Sequence, residues 1–409
     1  MAAIGLGLIA LISTPISLVY SIFGLCNGRN LFKKIFPVYV LGMGLLAYAY
    51  TPLGTPDLVR YFEIIDRCKG LSLLEVIRML NDGLWVENII YWLVAAVNMP
   101  HLLPFFAAIT VYGSMGYIAI DAAERFDSNR ILIIYLFQIM AVPFIGTISN
   151  VRNISAFALI ILAVYRDMVQ KKRDIVTILL YILPCFWHSM GFFLVLTRLI
   201  CLLSGVIFVI LAGILIFTPQ FITLLYTNNI FHNAPGTIGR MLNLFVQQAY
   251  GYMNDRGQNS TWTRSVMNSG SFRLQRIAFF AIAIIIIYFS IKHYRQTETE
   301  YDRKYDLFAI FIAGITLACN VTETTVYWRF GTATIIASGP ILNSIFINNK
   351  YSSIIDKIIS FLLLVCAFVL MLLNIRISRI NIDYGEYFST AFITSIYSVI
   401  AQLFWNLLV

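Results

Sequence analysis

Twelve predominantly apolar runs, each near the length of a membrane crossing, leave this chain few ways to fold. They occupy residues 4–25, 35–52, 102–120, 131–148, 153–169, 175–197, 199–217, 273–291, 306–320, 330–347, 353–375 and 389–408. A helix needs about 20 such residues to span hydrocarbon. Inside lipid, only helices and closed barrels satisfy their own backbone hydrogen bonds. The 409 residues are 59% hydrophobic and 12% charged, with a mean hydropathy of +0.81. Soluble domains carry about 25% charged residues, so this chain cannot cover a water-facing surface. A soluble enzyme, a nucleic-acid-binding domain and a disordered protein are all excluded. The expected fold is all-α: a polytopic membrane protein with about 11–13 transmembrane or re-entrant helices. It has a large outer loop between the middle helices, no soluble domain, and one polytopic unit over 1–409.

The net charge of +9 is scattered between the apolar runs, which is a topology signal and not a nucleic-acid footprint. The basic loops Arg29-Lys33-Lys34, Arg166-Lys171-Lys172-Arg173, Lys292-Arg295-Arg303-Lys304 and Lys350-Lys357 are assigned to the cytosol. The N-terminus is then outside and the C-terminus inside. The apolar N-terminus lacks a basic leader and reads as a retained helix, not a signal peptide. The run from Val86 to Val97 is short enough to be re-entrant or interfacial. Two full crossings within 175–217 conflict with this orientation. The six cysteines show no metal spacing and no disulfide framework.

Two outer segments, 53–101 and 218–272, are the expected substrate-binding face. The second, with the residues just after it, carries Arg240, Arg256, Arg264, Arg273 and Arg276 and no lysine, together with Trp262 and many Asn and Gln. Guanidinium forks match phosphate or carboxylate, and amides and aromatic rings suit sugars. The pattern reads as a site for an anionic carbohydrate, or as a plain solvated loop. Arg152, preceded by Asn150, and Arg329 each open a membrane helix on the outer side. There they can add to the helix dipole and clamp a diphosphate, or simply snorkel to the interface. Asp57, Arg60 and Tyr61 share a helical face after the Thr55-Pro56 start; the alternative is a surface ion pair. His188 lies in an apolar run about 20 Å beyond Asp174, where an ionisable group is a functional candidate; a neutral histidine bonded to a neighbouring helix is the alternative. Glu323 is a candidate base or a partner for Arg329, or else an exposed charge. No Walker A, DxD, HExxH or GxSxG motif is present, so neither a metal nor a cofactor is expected.

Three stretches resemble the EpsG/Wzy-like family of bacterial polysaccharide polymerases. They are TPDLVRYFEII at 55–65, SNVRNISAFALIILAVYRDMVQKKR with LPCFWHSMGFFLVL at 149–173 and 183–196, and VYWRFGTATI at 326–335. Where the family pattern has Gln or a similar polar residue after the first arginine, this chain has Asn153. The resemblance implies a membrane glycosyltransferase at the outer face of the cytoplasmic membrane. It would move an undecaprenyl-diphosphate-linked glycan onto a new lipid-linked repeat unit, without metal or cofactor. Arg152 and Arg329 would hold the diphosphate, and His188 would act as base or orienter, with Asp57 and Glu323 as other candidates for the hydroxyl. The expected partners are the undecaprenyl-diphosphate-linked oligosaccharide, membrane lipid, a Wzz-like chain-length regulator and a Wzx-like flippase, but no nucleic acid. A ligase using the same donor, or a lipid-linked oligosaccharide flippase, are the competing readings.

Overall fold

The computed structural model describes residues 13–25, 29–53, 57–128, 130–203, 217–231, 269–296, 300–322, 326–347, 353–379 and 381–408, with isolated positions between them. Helices dominate, and no strand occurs among the described residues. Among the described residues, four helices are long and apolar enough to cross a membrane: Asn30–Tyr48, Leu102–Arg125, Gly270–Gln296 and Ile354–Ser378. A fifth span is possible if one bent pair is counted as a single crossing. The protein is an all-α polytopic membrane protein.

In chain order, α1 (Thr14–Leu25) packs against α2 (Arg29–Tyr48). Three short helices follow: α3 (Asp57–Cys68), α4 (Leu73–Leu80) and α5 (Trp85–Ala96). The long α6 (Leu102–Arg125) leads to α7 (Ile131–Ala141), α8 (Phe144–Ser149) and α9 (Val151–Met168). Next come α10 (Ile175–Cys185), α11 (Met190–Ile200) and α12 (Thr218–Thr227), then the long α13 (Gly270–Gln296) and α14 (Glu300–Thr322). The chain continues through α15 (Tyr327–Ala337), α16 (Gly339–Ile347), α17 (Ile354–Ser378), α18 (Tyr384–Ile393) and α19 (Ile396–Leu408).

Several apolar runs are broken, not continuous. Residues 131–148 divide at Val142–Pro143, 330–347 at Ser338, and 389–408 at Thr394–Ser395. Proline cannot donate to the helix ladder, and freed carbonyls in lipid must find partners. One such partner is Gln138, whose Nε2 donates to the Ile335 carbonyl at 3.0 Å, beside the Ser338 break.

Polar contacts sort the helix ends into two groups. At one end Lys33 pairs with Glu124 at 2.8 Å, Tyr165 donates to Asp121 at 2.6 Å, and Lys292 pairs with Asp356. The Phe126 ring lies 5.9 Å from His293 at this same end. Basic clusters far apart in sequence therefore meet at this basic end. At the opposite end, His101 packs between Tyr48 and Phe62. Tyr327 donates to Gln275 at 2.7 Å, and Gln275 donates to Asn374 at 2.7 Å. The helices α3, α4 and α5 also sit here, with Ser72 and Glu75 forming a reciprocal capping box at the start of α4.

The run 175–197 does not cross. Asp174 caps α10 by accepting from the Thr177 N–H at 2.9 Å and pairs with Arg166 at 2.7 Å. Near the far end of α11, Arg198 pairs with Asp167, the neighbour of Arg166. Both feet of α10–α11 therefore stand at the basic end, and the residues 186–189 form the tip of a re-entrant hairpin. This removes one of the two crossings in 175–217; much of 204–216 lies outside the described residues. The C-terminal run corrects the expected inside C-terminus. Leu53 N–H donates to the Asn381 carbonyl at 2.9 Å before α18. After an 82° bend, Tyr48 donates to Gln402 at 2.7 Å and Asn406 donates to the Val97 carbonyl at 3.0 Å. The pair begins and finishes at the end opposite the basic clusters.

Candidate functional site

The start of α9 is held by a buried acidic group that sequence reasoning did not nominate. Arg152 donates through one terminal nitrogen to both carboxylate oxygens of Glu87 at 2.9 Å, and through Nε to the Tyr61 hydroxyl at 3.1 Å. The Tyr61 ring lies 5.0 Å from the guanidinium carbon. Tyr91, one turn along α5 from Glu87, donates its hydroxyl to the same carboxylate. The Glu87 side chain is 2% exposed and that of Arg152 is 24% exposed. Burial pushes the Glu87 carboxyl above its ordinary range, against the pull of Arg152. The available signal was a lone carboxylate inside the apolar stretch WVENIIYWLVAA, four residues before a tyrosine. An ionisable group in such a setting is costly unless paired.

The other face of the site comes from α15 and the hairpin. Trp328 lies against Gly146 of α8, and the Phe330 ring lies 5.4 Å from Phe157 of α9 and 5.7 Å from Phe193 of α11. Arg329 lies between these two contacts along the helix. Its Nε is buried without a hydrogen-bond partner, and no ion pair to it occurs among the described residues. The hairpin tip brings His188 close enough to feel the charges of both Arg152 and Arg329. The ring of Phe186, two residues before it, lies tilted 5.1 Å from that of Trp85 at the start of α5. Three elements distant in sequence thus deliver two guanidiniums and an imidazole to one place.

The His188 ring has a defined polarity. Its Nδ1 accepts from the Met190 N–H at 3.2 Å. In a neutral ring that bond assigns the proton to Nε2, which is then a donor. Neither α9 nor α15 has a side-chain cap at its N-terminus, so the first backbone N–H groups add positive potential there. The arrangement suits an anion with oxygen acceptors. Two half-buried guanidiniums normally repel, but Glu87 neutralises one, and among the described residues Arg329 has no counter-charge.

The remaining nominated residues fall in three groups. Tyr61 joins the site directly. Asp57 and Arg60 pair with each other on α3, with side chains 33% and 65% exposed, as a surface ion pair. Asn150 is half-buried and donates to the Gly146 carbonyl at 3.2 Å, closing α8. Arg276 donates to the Asn320 carbonyl and lies 6.0 Å from the Tyr327 ring, two residues before Arg329, whereas Arg273 is exposed one turn earlier on α13. Arg240, Arg256, Trp262, Arg264 and Glu323 lie outside the described residues.

No curated protein and no solved structure matches this chain. The EpsG family matches it over residues 33–389. That span runs from the first turns of α2 into α18 and contains Arg152, Glu87, His188 and Arg329, and on it the chain belongs to the EpsG family.

Proposed function

We propose that the protein is a polysaccharide polymerase of the cytoplasmic membrane, with its site facing the outside. It transfers a glycan from undecaprenyl diphosphate to the non-reducing end of a new lipid-linked repeat unit. The observation that carries this reading is the meeting of Arg329, without a carboxylate partner among the described residues, with Arg152 and His188 at the end opposite the basic loops, in a chain of the EpsG family. The acceptor hydroxyl oxygen bonds to the anomeric carbon while the bond from that carbon to the diphosphate breaks. The electron pair stays on the diphosphate. That leaving group is already a weak base, so it needs charge stabilisation more than a proton. Arg329 and the open N-termini of α9 and α15 supply it. His188, a donor at Nε2, orients or bonds an oxygen of the substrate and does not remove a proton. The hydroxyl proton goes to a carboxylate, for which Asp57 and Glu323 are the sequence candidates. Chain length is set with a regulator protein, and a flippase supplies the lipid-linked unit.

The test is a glycan ladder from cells lacking the gene and complemented with wild type or Arg329→Ala. Collapse to single repeat units on their final acceptor supports the polymerase. Loss of all surface units, with lipid-linked units trapped in the outer leaflet, indicates a ligase. Trapping in the inner leaflet indicates a flippase.

A further inference from the structure

We propose that Asn153 forms a subsite for an uncharged polar group, a hydroxyl or an amide, on the sugar adjoining the diphosphate. The inference rests on the polymerase reading and deepens it by naming what recognises the glycan.

Position comes first. Asn153 is one helical turn before Phe157, on the same face of α9. Phe157 meets Phe330, and Phe330 directly follows Arg329. Phe193 closes on Phe330 from the hairpin. The turns that hold Asn153 and Arg329 are therefore brought together where α9, α15 and the hairpin pack, on the side where His188 feels both arginines.

Chemistry comes second. Asn153 is 4% exposed. Neither its Oδ1 nor its Nδ2 has a hydrogen-bond partner, and the same holds for the buried Nε of Arg329. Leaving such a group unmet is costly, so buried polar atoms are nearly always paired in a working molecule. The unmet atoms here are two donors and one acceptor. Phosphate oxygens can satisfy the donors, Nδ2 and Arg329 Nε. They cannot satisfy Oδ1, which needs an O–H or N–H, and a polyprenyl chain offers no polar atom at all. The complementary ligand places acceptor oxygens beside Arg329 and a donor–acceptor group beside the Asn153 amide. A sugar attached to a diphosphate has this layout, with a ring hydroxyl or amide substituent next to the anion.

The experiment uses the full chain in lipid nanodiscs and two probes, undecaprenyl diphosphate and undecaprenyl diphosphate bearing one repeat unit. Wild type is expected to bind the glycosylated probe more tightly. Asn153→Leu keeps a similar shape without the amide. It should bind the bare probe as wild type does and lose roughly tenfold in affinity for the glycosylated one. Asn153→Ala is a second variant of smaller volume and should behave the same way, which covers a failure of the leucine variant to fold. Arg329→Ala should weaken both probes. Retention of the sugar preference in either Asn153 variant overturns the proposal and assigns the amide to trapped water. Absence of any preference in wild type overturns it as well. If wild type binds neither probe, the polymerase reading itself fails, a result distinct from the loss of the sugar preference alone.

Discussion

Arg152 and Arg329 both open a helix at the same end of the molecule, yet they differ in counter-charge, and that difference separates their mutants. Arg152 is tied to a carboxylate that is 2% exposed. Removing it strands Glu87 in a buried site, a change that typically costs about 3–5 kcal/mol. Among the described residues Arg329 has no such partner, so its removal uncovers no buried charge there. Arg329→Ala should therefore keep membrane abundance near wild type while long-chain glycan disappears. Arg152→Ala should lose both. Adding Glu87→Gln to Arg152→Ala should restore abundance without restoring glycan, as read by immunoblot and glycan ladder on the same membranes. Equal abundance of the two single mutants would remove the special standing given to Glu87. The two arginines and His188 were legible in the sequence because each is a polar group in or beside an apolar run. Glu87 shares that signal, but its role depends on a partner 65 residues away, and pairing across that distance is set by packing and not by local pattern.

Among elements, the α10–α11 hairpin explains how His188 reaches the site. The two helices pass closely because Gly191 has no side chain. A Cβ there would lie 3.0 Å from both the Pro184 carbonyl oxygen and the Cys185 Cα, and backbone atoms cannot swing aside. Gly191→Val should splay the tip, at a typical overpacking cost of about 1–3 kcal/mol. Thermal unfolding in detergent should register the loss, and glycan synthesis should fall with it because His188 leaves the two arginines. At the foot, the Thr177 N–H and Arg166 hold the Asp174 carboxyl down at about 2. A carboxyl lowered by folding stabilises the fold above its unfolded value of about 3.9 and loses that contribution as pH falls through the folded value. Unfolding temperatures of wild type and Asp174→Asn should thus differ at pH 7 and converge as pH approaches 2. Hydropathy located these helices well, since an apolar run of sufficient length is an unambiguous signal. It did not reveal that 175–197 turns back, because a hairpin and a straight span share one composition. The distinguishing features are a glycine that permits contact and charges paired at both feet, and neither belongs to the hydropathy pattern.

For the whole molecule, sidedness is what links the fold to the proposed outer-face reaction. The apolar runs alone predicted alternating crossings and a C-terminus among the basic loops. Two departures change that path: the hairpin returns to the basic end, and α18–α19 bends by 82° and returns to the arginine end. The contacts of Asn381, Gln402 and Asn406 with Leu53, Tyr48 and Val97 fix both ends of the bent pair beside the α3–α5 layer. Lysine and arginine near short loops favour the cytosol, so the proposed function places the end that collects Lys33, Arg173 and Lys292 in the cytosol. An epitope added after Val409 should then be reached by antibody in intact spheroplasts, as should a cysteine at Lys69 by an impermeant maleimide. A cysteine at Lys172 should react only after the membrane is opened. The fold makes these three results interdependent, because Asn406 and the α3–α5 layer share one end while Lys172 follows α9 at the other. If the C-terminal epitope sided with Lys172, α18–α19 would have to be a true crossing and the Asn406 contact with Val97 would be broken. If all three results inverted together, the fold would stand but the arginine site would face the cytosol. A donor presented in the outer leaflet would then not reach it, and the polymerase reading would fall with the orientation while the helix packing remained intact.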